Sequence, residues 1–377
     1  MFLSPLPSGK RNKVRGLKLI LKIILFCFSF SLSLQKGIGK FKRKSDMIKK
    51  EALFWEKRED GKIQCLLCPV GCVIADGKIG VCMGRKNEGG ILYAINYGRL
   101  VSLAMDPIEK KPLYHFHPGA QILSTGPNGC NLGCQNCQNW TISQEESLTE
   151  FVSPEDLVSF ALKEKSVGIA YTYTEPLIWY EYVFDTAKIA KEKNLVNVLV
   201  TNGYIHEEPL IKLLPFIDAM NIDLKSMDED FYKRVCKGKL SYILRTIELA
   251  YQHKVHIEIT NLLIPTLNDS DEQIQKLVDF VAGLSDRIPL HFSRYFPTYK
   301  MDLPGTPLES LQKAFLLGKR KLKYVYVGNA YLPNTSNTFC PACNELLIKR
   351  DGYHTSIVGI KDKKCKKCGV SADIIMK

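Results

Sequence analysis

Eleven of the 13 cysteines fall into three clusters, Cys65/Cys68/Cys72/Cys82, Cys130/Cys134/Cys137 and Cys340/Cys343/Cys365/Cys368, with Cys27 and Cys236 standing apart. Such spacings suit metal-bound thiolates better than disulfides. The central trio has the order C-x3-C-x2-C within a Gly- and Asn-rich stretch, 126–137. Three thiolates on one loop can hold three irons of a 4Fe–4S cube and leave the fourth iron open to a small molecule. Structural zinc wants a fourth ligand and a closed shell, and no fourth ligand is evident near this loop. Cys65-x2-Cys68-x3-Cys72-x9-Cys82 suits either zinc or an auxiliary iron–sulfur cluster that relays electrons. Its C-x2-C-x3-C start reverses the central order, which argues against a second open cluster. The last cluster forms two C-x2-C knuckles separated by 21 residues, Cys340/Cys343 and Cys365/Cys368, the pattern of a zinc ribbon. Lys361, Lys363, Lys364, Lys366 and Lys367 give that ribbon a basic tip, which reads as a solvated face and equally allows a nucleic-acid or protein partner.

These clusters flank about 200 residues in which short apolar runs alternate with amphipathic helical stretches, the mark of βα units around a parallel sheet. Strands are predicted at 121–125, 168–173, 196–201, 217–223, 255–264, 288–292 and 324–327. Ser153-Pro154-Glu155-Asp156 reads as a helix start, with a capping Ser, Pro at the first helical position and acids in the first turn. Ser270 opens another helix, with Ile274, Leu277, Val278 and Val281 on one stripe. Six or seven such units predict a full or partial barrel whose chemistry sits at the carboxyl ends of the strands. Polar groups stand at those ends: Glu175 in Thr-Tyr-Thr-Glu-Pro, Asn202 in Thr-Asn-Gly-Tyr, Asp223 and Lys225 in Asn-Ile-Asp-Leu-Lys, and His291, Arg294 and Tyr295 further on. Each has a plainer reading: a helix-opening acid, a βα turn, a strand-end ion pair, and a hydrogen-bonded core histidine.

A C-x3-C-x2-C loop after the first strand of such an alternation resembles the radical SAM superfamily. The resemblance implies an α/β partial (β/α)6 TIM-like barrel, with a 4Fe–4S cluster on Cys130, Cys134 and Cys137 that binds S-adenosylmethionine (SAM) and cleaves it reductively. The product would be a 5′-deoxyadenosyl radical that takes hydrogen from a substrate. It further implies that Glu175 receives the SAM amino group, that Asn202 lies in the cofactor cradle, that Asp223 binds a ribose or amino group and that Lys225 binds the carboxylate. Lys50-Glu51-Ala52, Glu59-Asp60-Gly61-Lys62, the 65–82 cysteine stretch, Tyr97-Gly98, Asp106-Pro-Ile-Glu-Lys-Lys-Pro-Leu-Tyr-His-Phe116 and 134–139 resemble more narrowly the radical SAM member of the AmmeMemoRadiSam system. That family is similar to pyruvate formate-lyase activating enzymes. The narrower resemblance implies AMMECR-type and Memo-type companion proteins and a reductant such as ferredoxin or flavodoxin, with no settled substrate. The alternatives are a glycyl-radical-enzyme activase acting on a protein, and a non-catalytic zinc scaffold.

The 377 residues are 45% hydrophobic and 24% charged, which excludes a disordered or fibrous chain. The net charge of +13 is concentrated in 1–46, which carries eleven basic residues and only Asp46 as an acid, so the remainder is close to neutral. That removes a nucleic-acid argument built on total charge. Segment 1–46 reads as a basic and apolar leader, a signal-like extension or an upstream start with Met47 as the initiator; labile clusters and free thiolates favour Met47 and a cytoplasmic protein, with membrane association only if the leader is real. The predicted domains are that leader, a four-cysteine module (47–118), the radical SAM barrel (119–330) and a zinc-ribbon-like module (331–377).

Overall fold

The computed structural model describes residues 49–376; the calls on the 1–46 leader, Met47 and Cys27 lie outside the described residues. The centre is one eight-stranded sheet. Its strands are β1 (Ser102–Pro107), β2 (Gln121–Gly126), β3 (Gly168–Tyr171), β4 (Val196–Thr201), β5 (Ala219–Asp223), β6 (His256–Leu263), β7 (Leu290–Arg294) and β8 (Val325–Gly328). They lie in chain order from one edge to the other. Strands β2 to β8 are parallel, and β1 runs antiparallel to β2 at the edge. The crossover helices are α1 (Pro154–Lys163), α2 (Tyr180–Glu192), α3 (Glu207–Leu213), α4 (Leu240–Gln252), α5 (Asp271–Leu284) and α6 (Leu308–Lys319).

Helix starts follow the local chemistry. The Ser153 hydroxyl accepts from the Asp156 N–H at 3.1 Å, and that of Ser270 from the Gln273 N–H at 3.3 Å. Each cap satisfies an N–H that the first helical turn leaves without a partner. In α5, Ile274, Leu277, Val278 and Val281 are all buried, as their spacing predicts. All seven predicted strands form, with ends shifted by at most two residues. Strand β1, counted in the sequence with the N-terminal module, belongs to the main sheet instead.

The stretch after β1 folds back over the sheet. Its Ile108, Leu113 and Phe116 join Ile122, Ala170, Val198 and Ala219 in one buried cluster, each large aliphatic contributing about 1.5–3 kcal/mol. The N-terminal module has a three-stranded antiparallel sheet (Trp55–Lys57, Ile63–Cys65, Val73–Ile74) and a hairpin (Arg85–Glu88, Ile91–Ala94). A buried ion pair, Arg85 to both oxygens of Glu181 at 2.8 and 3.0 Å, fastens it to α2. The C-terminal module has a three-stranded antiparallel sheet (Thr338–Phe339, Leu346–Asp351, His354–Ile357) and a short hairpin. It docks on the same folded-back stretch: the Arg350 guanidinium donates to the Tyr114 carbonyl at 2.7 Å, and Thr355 donates to Glu109 at 2.8 Å.

Candidate functional site

The central cysteines occupy the loop that leaves β2. Strand β2 ends at Gly126, whose Cα lies so close to the Thr172 carbonyl that a Cβ would stand 2.1 Å from its oxygen. The loop is stitched down at both ends. Gly129 N–H donates to the Ile142 carbonyl at 2.9 Å, Gly133 N–H to Cys236 at 2.8 Å and Gln135 N–H to Val235 at 3.0 Å. Donors surround the sulfurs. Cys130 Sγ faces the Leu132 N–H at 3.4 Å and the Asn202 amide at 3.6 Å, while Cys137 Sγ lies 3.1 Å from the Ser143 hydroxyl. Burial pushes the Cys130 and Cys137 thiols up, whereas a hydrogen bond from Cys236, followed by the Lys225 charge, lowers Cys134.

Cys236 is therefore part of this site, although in the sequence it stands apart from the three clusters. It is fully buried, at the end of the π-helical turn Tyr232–Cys236, with its thiol against Cys134. Nothing in its spacing from the trio signals this; only the packing of that turn on the loop brings them together.

The strand-end residues divide. Asn202 lies in the site: its amide N–H reaches Cys130 Sγ and donates to Asn131 Oδ1 at 3.0 Å, and its Oδ1 accepts from the Tyr204 N–H at 2.8 Å. Lys225 and Asp223 pair at 2.8 Å, and the Lys225 charge acts on Cys134 and Cys137. Glu175 is turned into the chain. It is fully buried, with Oε1 accepting from the Leu177 N–H and the Thr201 hydroxyl, and Oε2 from the Asn202 N–H. Burial raises it to about 7. The helix-opening reading describes its geometry, because both oxygens are committed to fixing the β3 and β4 ends. His291 donates within the core to Glu258 at 2.6 Å, the Arg294 Nε donates to the Thr306 carbonyl and the Tyr295 hydroxyl to the Met301 carbonyl, so these three take the plainer role.

Three comparisons with known proteins bear on this geometry. Residues 125–281 match the family model described as the radical SAM superfamily. An uncharacterised protein of Methanocaldococcus jannaschii is 46% identical over 335 residues, 87% of this chain and 100% of that protein. The chain belongs to the radical SAM superfamily. A pyruvate formate-lyase-activating enzyme of Clostridium pasteurianum is 29% identical over 168 residues, 41% of this chain and 67% of its own length. A solved domain of pyruvate-formate lyase-activating enzyme from Bacteroides vulgatus aligns with a TM-score of 0.38 at 23% identity, over 43% of this chain and 99% of that one.

Membership of the radical SAM superfamily implies a 4Fe–4S cluster and SAM, and the residues fit the cluster: three thiols on one loop, with N–H, amide and hydroxyl donors at their sulfurs. Beyond them, the 106–116 stretch, marked in the sequence only by its family resemblance, brings a buried charge cluster. Asp106 accepts from Lys110 and Lys111 at 2.8 and 2.7 Å and from the Tyr173 hydroxyl at 2.7 Å, and the Lys111 ammonium lies 4.6 Å from the Tyr173 ring. Burial lowers Lys111 to about 8; despite burial, Lys111, Lys110 and Tyr173 hold Asp106 down at about 2. On β5 and β6, Asn221 Oδ1 and Thr260 Oγ1 are buried without a partner among the described residues.

The C-terminal cysteines form a tight group. Cys340 and Cys368 are 3.6 Å apart, as are Cys343 and Cys365, and all four sulfurs lie within 4.8 Å of one another. Tetrahedral zinc with bonds of about 2.3 Å places its sulfurs about 3.8 Å apart, so this group fits a single ion. Among the described residues, no helix is long and apolar enough to cross a membrane.

Proposed function

We propose that this protein cleaves SAM reductively at Cys130, Cys134 and Cys137 and uses the resulting radical to abstract hydrogen from a substrate within the AmmeMemoRadiSam system. The observation that carries this reading is the loop after β2, with three thiols held together and the Asn202 amide, Leu132 N–H and Ser143 hydroxyl directed at their sulfurs. When bound, the cluster supplies one electron to the SAM sulfonium, releasing methionine and the 5′-deoxyadenosyl radical. The chain's own part is to hold and screen. Lys225, whose charge already acts on Cys134, offers a point charge for the SAM carboxylate, and Asp223 offers an acceptor for an amino group or ribose. Glu175 acts through Asn202, fixing the backbone that aims the amide at Cys130. Four thiolates at Cys340, Cys343, Cys365 and Cys368 hold structural zinc. AMMECR-type and Memo-type proteins are the proposed partners, ferredoxin or flavodoxin the proposed reductant, and the cytoplasm the proposed location. The named activating-enzyme relatives align with less than half of this chain, so their substrates are not carried over.

The test is anaerobic reconstitution of the chain from Met47 with iron and sulfide, reduction by dithionite in the presence of SAM, and chromatography for 5′-deoxyadenosine. Formation by the wild type and not by Cys134→Ala supports the reading. A reconstituted protein that carries zinc at the central site and leaves SAM intact overturns it in favour of a scaffold.

A further inference from the structure

The N-terminal cysteines resolve differently from the C-terminal ones, although both are sets of four. Cys65, Cys68, Cys72 and Cys82 line a single cavity, together with Arg85 and Asn131, that admits a water-sized sphere. Sulfurs gathered about 2.3 Å from one zinc ion touch one another and leave no such space. Among the described residues, only the C-terminal set brings three or more candidate ligand atoms within 4.8 Å of one another. The N-terminal set is wider, as is the central trio that fits a cluster. A 4Fe–4S cube separates its thiolates by its own breadth, so a set wider than one zinc ion gathers suits a closed four-cysteine cluster.

The wall of this cavity adds two observations. Arg85 is 1% exposed, and its terminal nitrogens are spent on Glu181 and the Leu53 carbonyl, yet its Nε has no partner among the described residues. An unpaired buried N–H costs about 1–3 kcal/mol, and a cluster sulfide at that wall would accept from it. Asn131 lines the same cavity and also belongs to the central site, where its Oδ1 lies 3.9 Å from Cys130 Sγ and accepts from Asn202. The Cys82 carbonyl packs so closely on Gly129 that a Cβ there would lie 2.1 Å away. The two cysteine sites share a wall.

We infer that Cys65, Cys68, Cys72 and Cys82 hold a second 4Fe–4S cluster, closed by four thiolates, immediately beside the Cys130 site. The position puts a one-electron group against the wall of the catalytic cluster, a placement that a purely structural ion does not need. The inference stands on the geometry of the N-terminal module and does not require SAM cleavage.

The test counts metals in the anaerobically reconstituted full chain and in two variants. In Cys68→Ala/Cys72→Ala, iron and sulfide are each expected to fall by about four per chain with zinc unchanged. In Cys130→Ala/Cys134→Ala/Cys137→Ala, about four irons should remain, and dithionite should convert them to a paramagnetic one-electron-reduced cluster visible by electron paramagnetic resonance. Loss of about one zinc from Cys68→Ala/Cys72→Ala, or unchanged iron, overturns the inference. Should a variant fail to fold, the wild type decides: about eight irons per chain support the second cluster, and about four irons with two zincs overturn it. A wild type holding about four irons that survive loss of the central cysteines would sink the proposed function and leave this inference standing.

Discussion

Asn202 and Cys236 decide how the central sulfurs are solvated. Neither is a ligand, yet each places a donor at one of the three thiols: the amide at Cys130 at 3.6 Å and the thiol at Cys134. Groups of this kind orient ligands and tune the metal they hold, and their loss commonly costs 10–100-fold in affinity or activity. Asn202→Ala is therefore expected to slow 5′-deoxyadenosine formation by about 10–100-fold with iron content close to wild type. A proportional loss of iron would show that Asn202 serves cluster assembly instead. Cys236→Ala removes a hydrogen bond that favours the more negatively charged, reduced cluster, so the reduction potential should fall by roughly tens of millivolts. Cys236→Ser restores a donor and should recover part of that shift, measured by redox titration followed by electron paramagnetic resonance; an unchanged potential in Cys236→Ala would remove Cys236 from the site's electrostatics.

At the scale of elements, the contact between the loop after β2 and the N-terminal module rests on one glycine. Gly129 has φ +101°, a conformation L residues rarely adopt, and no room for a Cβ against the Cys82 carbonyl. Gly129→Ala must shift backbone on one side or the other, at a cost of about 2 kcal/mol or more. Denaturant unfolding should report that loss, together with reduced iron retention, because the same shift moves Cys130. A variant as stable and as iron-rich as wild type would mean that the two backbones do not constrain each other. The elements themselves were largely legible in the sequence. The strands from 121 to 327 announced themselves because parallel strands covered on both faces are short apolar runs, and Ser153 and Ser270 because a cap is a local event. The ligand trio was legible for the same reason: three cysteines within eight residues share a loop whatever the fold around them. What escaped was set by tertiary contact. Strand β1 does carry an apolar run, 100–105 broken by Ser102, but its pairing with β2 alone assigns that run to the main sheet. Cys236 reaches the site only through packing. An acid before proline at a strand end, such as Glu175, looks the same in sequence whether its oxygens face a ligand or the next turn of chain.

The whole molecule is held at its C-terminal end by a buried histidine that must stay neutral. His115 Nδ1 lies 2.6 Å from the Asp373 carbonyl, which can only accept, so Nδ1 carries the proton; Nε2, 2.6 Å from the Tyr326 hydroxyl, then accepts from it. This ring joins the folded-back stretch after β1, strand β8 and the C-terminal module, where Asp373 also pairs with Arg287 and accepts from the Tyr324 hydroxyl at 2.7 Å. Burial lowers His115 from its ordinary 6.5 to about 4, against the pull of Glu258. Because the folded value lies below the unfolded one, the unfolded chain binds the proton first. The stability from neutral His115 is thus fully present above about pH 6.5 and is lost progressively as pH falls toward about 4, by as much as about 3 kcal/mol in all. Glu258 acts in a separate, more acidic window: despite its burial, hydrogen bonds from His256 and His291 hold it well below the carboxylate range, so its contribution fades only as carboxylates protonate. Between about pH 7.5 and pH 5.5, anaerobic urea unfolding should therefore show wild type losing about 1 kcal/mol more than His115→Gln, whose amide keeps a donor and an acceptor without titrating. The extra loss belongs to the docking of the C-terminal module, so protease cleavage within 331–377 should rise over the same interval in wild type and stay level in the variant. Parallel curves for the two proteins would show that the module's attachment does not depend on the protonation of His115.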